Sequence, residues 1–276
     1  MVPRRIGLRC VLRTRVATAA VALPALLWLN FFGPPWVFAG VVGALTAVGL
    51  LEFVTMVAPE QRQVRAFSIV VGLLFAGTVI LNRTDALGLA LVLALGAGLV
   101  LALADEDMRG AVNRLSGGLL ASLYVGFLLP HIVRLHALPD GGPRWVFFAL
   151  ACCMASDTAG YFGGRYAGRT KLFARVSPNK TVEGAIAALF GSLLVAFGVA
   201  KLLPPPGLEV STAVGLGFVL GLLSQLGDMV ESMLKRAYGA KDSGWILPGH
   251  GGVLDRIDSL VMPLVFTYYW NAGLGV

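Results

Sequence analysis

Asp228, Glu231, Ser232 and Lys235 stand three and four residues apart within an apolar run, so one face of a helix carries all four. Some twenty residues later, Asp255 and Asp258 stand three apart at the head of another apolar run. Charge of both signs beside hydrocarbon needs a reason, because an ionised side chain at membrane depth is costly unless it is paired, hydrated or bound to an ion. Each set has a plain explanation. Glu231 and Lys235 make an i,i+4 pair, Asp228 bonds a neighbouring helix, and Asp255 and Asp258 are N-terminal acids held by the helix dipole. Together, though, they leave Asp228 and Asp255 at comparable depth on two helices joined by one loop. Carboxylates converging from two helices suit a hard divalent cation such as Mg2+, which takes oxygen ligands and keeps water and phosphate in its other positions. Asp228 and Asp255 are therefore the expected metal ligands, with Asp258 and Glu231 next in reach.

Between those helices, Gly249-His250-Gly251-Gly252 reads as a turn whose small residues let backbone approach a bulky anion. Lys235, Arg236, Lys241 and Arg256 supply countercharge. A lone histidine is more often structural than catalytic, but in this setting His250 is taken as catalytic. Upstream, Ser156-Asp157 sits in an apolar run that continues as TAGYFGGRYAGRTKLFARVSPNKTVEG. Ser177-Pro178-Asn179 reads as a helix start, with Ser177 the cap and Pro178 in the first turn. Free backbone N–H groups there, beside Lys180 and Thr181, suit a phosphate. The competing explanation is equally open: Ser-Pro only starts a membrane span, and the basic residues only orient it.

Membrane spans must position these residues. The chain has 276 residues, 57% hydrophobic and 13% charged, with a mean hydropathy of +0.79. A soluble domain carries nearly twice that charge. The composition predicts an all-α, polytopic integral membrane protein with about nine transmembrane helices. They cover about Val16–Phe32, Trp36–Val57, Phe67–Leu81, Ala86–Ala104, Leu115–Val133, Trp145–Gly163, Val182–Leu203, Ser211–Leu234 and Ile257–Leu274. With the N-terminus in the cytoplasm, 18 of the 22 Lys and Arg fall on the cytoplasmic side, leaving Arg83, Arg134, Arg144 and Lys201 outside. The positive-inside rule expects such a split, and it puts the C-terminus outside. The net charge of +7 is this loop bias rather than a sign of nucleic-acid binding.

Met1 to Arg15, with five arginines and no acid, looks like the head of a signal peptide. LLWLNFFGPPW offers no small-residue cleavage site, so the segment is kept as the first span. Cys10, Cys152 and Cys153 are read as reduced. Residues 1–110 are taken as N-terminal membrane spans of about four helices, and 111–276 as a catalytic membrane region with the cytoplasmic motif loops.

The motif loops resemble, position for position, the signature of the phosphatidate cytidylyltransferases, also called CDP-diacylglycerol synthases. That pattern is Ser, one residue, an aliphatic, Lys-Arg, four residues, Lys-Asp, a spacer, Pro-x-His-Gly-Gly, an aliphatic, one residue, then Asp-Arg-x-Asp. It is met by Ser232, Leu234, Lys235, Arg236, Lys241, Asp242, Pro248, His250, Gly251, Gly252, Asp255, Arg256 and Asp258. SDTAGYFGGRYAGRTKL and SPNKTVEG are similar to the family's inner motifs, so the resemblance runs from about Ala155 onward. The N-terminal spans match only in hydropathy, and Gly160 stands where a small residue, often Ala, is expected.

The resemblance implies a multi-pass enzyme of the cytoplasmic (inner) membrane that converts CTP and phosphatidate to CDP-diacylglycerol and pyrophosphate. It implies Mg2+ on Asp228 and Asp255, a monovalent cation such as K+ beside it, and a homodimer. A phosphate monoester is already nucleophilic near neutral pH, so no activated Ser or Cys is needed. The protein's task is then positioning and charge stabilisation. Lys235, Lys241, His250 and Arg256 are the expected catalytic residues. Asp157, Ser177, Asn179, Lys180, Thr181, Arg236, Gly251 and Gly252 are the expected substrate contacts. A CTP-dependent lipid-alcohol kinase is the alternative enzyme. An ion-coupled transporter is the alternative of another class, but the polar residues cluster on one rim and no inverted repeat is visible.

Overall fold

The computed structural model describes residues 24–244 and 251–274. Residues 16–23 of the expected first span, the N-terminal arginines, Cys10, Pro248 and His250 lie outside the described residues.

In hydrocarbon a segment must satisfy its own backbone, so long apolar runs become helices. Helical residues 24–32 lead into α1 (Pro35–Val57), α2 (Arg62–Ile80), α3 (Leu87–Leu103) and α4 (Met108–Ala121). A π-helical turn, Ser122–Leu128, carries α4 on to α5 (His131–His136). Then come α6 (Gly142–Ala167), α7 (Val182–Leu202), α8 (Val210–Ala237) and α9 (Leu254–Tyr269), which ends in a second π turn, Trp270–Leu274. Among the described residues six helices are long and apolar enough to cross a membrane: α1, α2, the continuous Met108–His136, α6, α7 and α8. The chain is a helical, polytopic membrane protein. Each of the nine expected spans coincides with helix over its described residues, although α3, α9 and residues 24–32 are shorter than the rest.

The segment between α6 and α7 corrects one expectation. Ser177 does not start a helix. It opens the second strand of an antiparallel hairpin, β1 (Lys171–Phe173) and β2 (Ser177–Thr181), with Lys171 opposite Thr181 and Phe173 opposite Ser177. A proline disfavours helical geometry in the residue before it, which keeps Ser177 extended. The cap of α7 is Thr181, with φ −125° and ψ 156°, and its hydroxyl accepts from Gly184 N–H at 3.1 Å. Glu183 Oε2 accepts from the backbone N–H groups of Arg169 at 3.0 Å and Thr170 at 3.2 Å, tying the hairpin base to α7.

Lipid offers no hydrophobic drive between helices, so small residues decide where backbones meet. A Cβ at Gly184 would stand 3.1 Å from Gly164 Cα, which sets the α6–α7 crossing. α8 meets α9 at Gly227, where a Cβ would run into the Asp258 carbonyl. One core gathers Phe148, Ala149, Leu220 and Leu264. A second joins α1 to the motif segments through Leu50, Phe53, Leu234, Leu254 and Ile257.

Gly227→Val should push α8 off α9 at a cost of about 1–3 kcal/mol, the usual range for overpacking. The expected result is a lower thermal unfolding midpoint in detergent. Gly215→Ala, in open space on the same helix, should leave the midpoint unchanged.

Candidate active site

Gly227 brings α8 against α9, and the next residue, Asp228, faces a cavity of about 1000 Å3 bounded by α6, β2, α7, α8 and α9. α6 contributes Asp157 to its wall, β2 contributes Asn179, Lys180 and Thr181, and α8 contributes Asp228 and Lys235. The segment entering α9 adds Gly251, Asp255, Arg256 and Asp258. The structure therefore brings residues of both motif loops to one cavity. Asp242, Gln225 and Ser259 also line the cavity, though the sequence did not mark them as site residues.

Five carboxylates on one cavity repel one another unless cations or donors intervene. Lys180 Nζ lies 2.7 Å from Asp228 Oδ2. Lys235 Nζ lies 2.6 Å from Asp255 Oδ1 and 2.5 Å from Glu231 Oε2. Asp255 Oδ2 accepts two backbone N–H groups besides, from Ser243 at 3.1 Å and Gly252 at 2.9 Å. Asp255 is thus nearly saturated. Among the described residues Asp228 is the freer of the two, its second oxygen having only a long contact of 3.4 Å with Ser232 Oγ. Further along α9, Ser259 Oγ donates to Asp157 Oδ2 at 3.0 Å, and Ser259 N–H donates to Asp258 Oδ1 at 2.7 Å. Gly251 takes φ +80°, and a Cβ there would stand 2.8 Å from Asp255 Oδ2, so glycine is required on both counts.

This donor set suits the expected Mg2+. Among the described residues no three His, Cys, Asp or Glu side chains form a cage that could hold a metal by themselves. Mg2+ needs none, since it binds through one or two carboxylates and completes its octahedron with water and substrate phosphate. Asp228 and Asp255 supply two such carboxylates to one cavity.

Several expected residues stand elsewhere. Glu231 is 1% exposed and does not line the cavity; it pairs with the Lys235 ammonium. Arg236, within α8, and Lys241, beyond the left-handed turn at Gly239, are both exposed and off the cavity. Arg236 Nη1 instead donates to the Ala240 carbonyl at 3.3 Å. Ser177 is held in the hairpin opposite Phe173, and Gly252 is buried, its N–H given to Asp255. His250 lies outside the described residues.

The residue the sequence passed over is Glu52 on α1, only 4% exposed. Its carboxylate accepts from Val253 N–H at 3.1 Å, Leu254 N–H at 2.9 Å and Ser243 Oγ at 3.4 Å. The available signal was a lone acid in an otherwise apolar run.

The sequence pattern described as the cytidylyltransferase family matches residues 13–272. The chain is 33% identical over 287 residues to a phosphatidate cytidylyltransferase of Synechocystis sp., an alignment covering 93% of this chain and 95% of that protein. It is 37% identical over 268 residues to the phosphatidate cytidylyltransferase of Brucella suis, covering 95% and 93% of the two chains. To the protein of that name from Bacillus subtilis it is 39% identical over 152 residues, 54% of this chain and 55% of the relative.

The site depends on β2 handing Lys180 to the cavity just before the Thr181 cap. Thr181→Ala should cost about 1 kcal/mol, the usual worth of such a cap, and Thr181→Ser should recover most of it. Unfolding midpoints in detergent measure both.

Proposed function

The chain belongs to the cytidylyltransferase family, and from that premise we propose that it transfers CMP from CTP to phosphatidate, giving CDP-diacylglycerol and pyrophosphate. The observation that carries this reading is the single cavity in which carboxylates of α6, α8 and α9 meet cations of β2, α8 and α9.

The reaction joins two polyanions, so their repulsion must be cancelled before a phosphatidate oxygen attacks the α-phosphorus of CTP. Lys180 is the cation best placed to change partners. Its side chain is 26% exposed, against 12% for Lys235, and among the described residues its one ion pair is with the freer aspartate. Phosphate arriving in the cavity competes with Asp228 for that ammonium. Lys235, shared by Glu231 and Asp255, acts instead as a strut that holds Asp255 to the wall. Arg256 and Arg165 add positive charge along the cavity, and Arg165 is steadied by donating to Tyr161 Oη at 2.8 Å. No base is required, because the attacking group is a phosphate oxygen that is already ionised. Asp228 and Asp255 would hold Mg2+, which when bound neutralises phosphate charge and helps pyrophosphate leave. A K+ ion beside it belongs to the same proposal.

Tyr161 and Leu172 line the cavity, and Tyr161, Phe162 and Tyr166 are exposed on α6. These apolar surfaces suit a substrate that brings its headgroup to the cavity while its tails stay in lipid. We place the enzyme in the cytoplasmic membrane, as a homodimer, with the cavity toward the cytosol where CTP is found. The concentration of Lys and Arg in the two segments bordering the cavity supports that orientation.

Purified protein incubated with α-labelled CTP, phosphatidate and Mg2+ should move label into the organic phase as a liponucleotide and release pyrophosphate. Release of CDP with a newly phosphorylated lipid would instead make it a kinase. Asp228→Asn and Asp255→Asn should each lower turnover on the order of 100-fold or more, the scale of losing one electrostatic contact to a transition state. Both variants should still insert and run as a single species. Near-normal activity of either at saturating Mg2+ would remove that residue from the metal site.

A further inference from the structure

We propose that Glu52, on α1 and far in sequence from both motif loops, is the positioning residue that fixes the α8–α9 segment so that Asp255 faces the cavity. The activity arm of this proposal rests on the cytidylyltransferase reading; the geometric arm does not.

The first N–H groups of any helix lack acceptors within it and need one from outside. α9 begins at Leu254, and the preceding Val253 has no side chain able to cap it. Glu52 does so from another helix, its two oxygens taking the N–H groups of Val253 and Leu254. A carboxylate is favoured there because the N-terminal end of a helix carries partial positive charge. Among the described residues no lysine or arginine pairs with Glu52, so these amides and the Ser243 hydroxyl hold the buried carboxylate.

Ser243 links this cap to the cavity. Its hydroxyl donates to Glu52 while its backbone N–H donates to Asp255 Oδ2. Gly252, just before Val253, gives its N–H to the same Asp255 oxygen. Gly244 and Gly252 both close on Glu52: a Cβ on either would stand 2.5 Å from one of its carboxylate oxygens. Both described ends of the segment are therefore packed on one side chain, and they supply two of the three donors to Asp255 found among the described residues. Leu50, Phe53 and Val54 around Glu52 are fully buried, which leaves α1 little freedom to follow if the segment moves.

The test compares wild type with Glu52→Gln in the full chain, by hydrogen exchange resolved to peptides and by steady-state kinetics. Gln keeps the volume but replaces one acceptor oxygen with a donor facing amide donors. The expected result is exchange about tenfold faster across 243–255 with α6 and α7 unchanged. Turnover should fall about tenfold or more while KM for phosphatidate stays within about twofold, the pattern of a misplaced group rather than lost substrate binding. Glu52→Asp, which keeps the charge, should recover part of both. Wild-type exchange and turnover in Glu52→Gln would overturn the proposal. Lost turnover with unchanged exchange at 243–255 would overturn it too, as would faster exchange spread through α6 and α7. If Glu52→Gln cannot be recovered folded, Ser243→Ala must show the same local loosening, and no change there overturns the proposal. Absence of liponucleotide from the wild-type protein would sink the reaction assigned above and leave the exchange result to decide Glu52.

Discussion

The ammonium of Lys235, lodged between Glu231 and Asp255, is the contact that the rest of the site depends on. A buried cation alone would be prohibitively costly, and so would a buried carboxylate; each is tolerated because the other is present. The backbone amides of Ser243 and Gly252 add two further donors to Asp255. Glu231 sits one helical turn before Lys235 on α8, whereas Asp255 is on α9, so the same network welds the two helices that carry the acidic residues.

The fold can be understood as the means of supplying that network with neighbours. Gly227 allows α8 and α9 to approach closely enough for Asp228, Asp255 and Asp258 to share a cavity. The glycine-lined crossing of α6 and α7 brings in Asp157 and the hairpin. Glu183 and Thr181 then hold the hairpin base, so that Lys180 reaches Asp228. α1 closes the assembly from the N-terminal part of the chain through Glu52. Acidic and basic groups thus arrive from five helices and one strand. The result is a cavity in which Asp228 is paired with Lys180 and Asp255 with Lys235.

Much of this was legible in the sequence, for identifiable reasons. The bilayer imposes length and apolarity on each span, so the helices stood out without any knowledge of their contacts. Glu231 and Lys235 are four apart on one helix, and their pair forms. What was not legible depended on groups distant in the chain or on the direction of a turn. Ser177-Pro178 has the local chemistry of a helix start, yet pairing between Lys171 and Thr181, with Glu183 bonding the hairpin base, makes it a strand. Arg236 and Lys241 belong to the same motif as Lys235, but Arg236 stands on an exposed face of α8 and Lys241 follows the left-handed turn at Gly239, and neither lines the cavity. Glu52 meets donors 191 to 202 positions away, and no local spacing encodes such a meeting.

The central claim is that Asp228 and Asp255, from two helices, serve one ion and one polyphosphate in this cavity. It is tested most directly by diffraction at the manganese absorption edge, on crystals grown with Mn2+ and CTP. The expected result is one anomalous peak about 2.1 Å from a carboxylate oxygen of each aspartate, the spacing of a hard octahedral ion, with Lys180 moved from Asp228 to a phosphate oxygen. A peak remote from both aspartates, or nucleotide bound with Lys180 still on Asp228, would contradict the account.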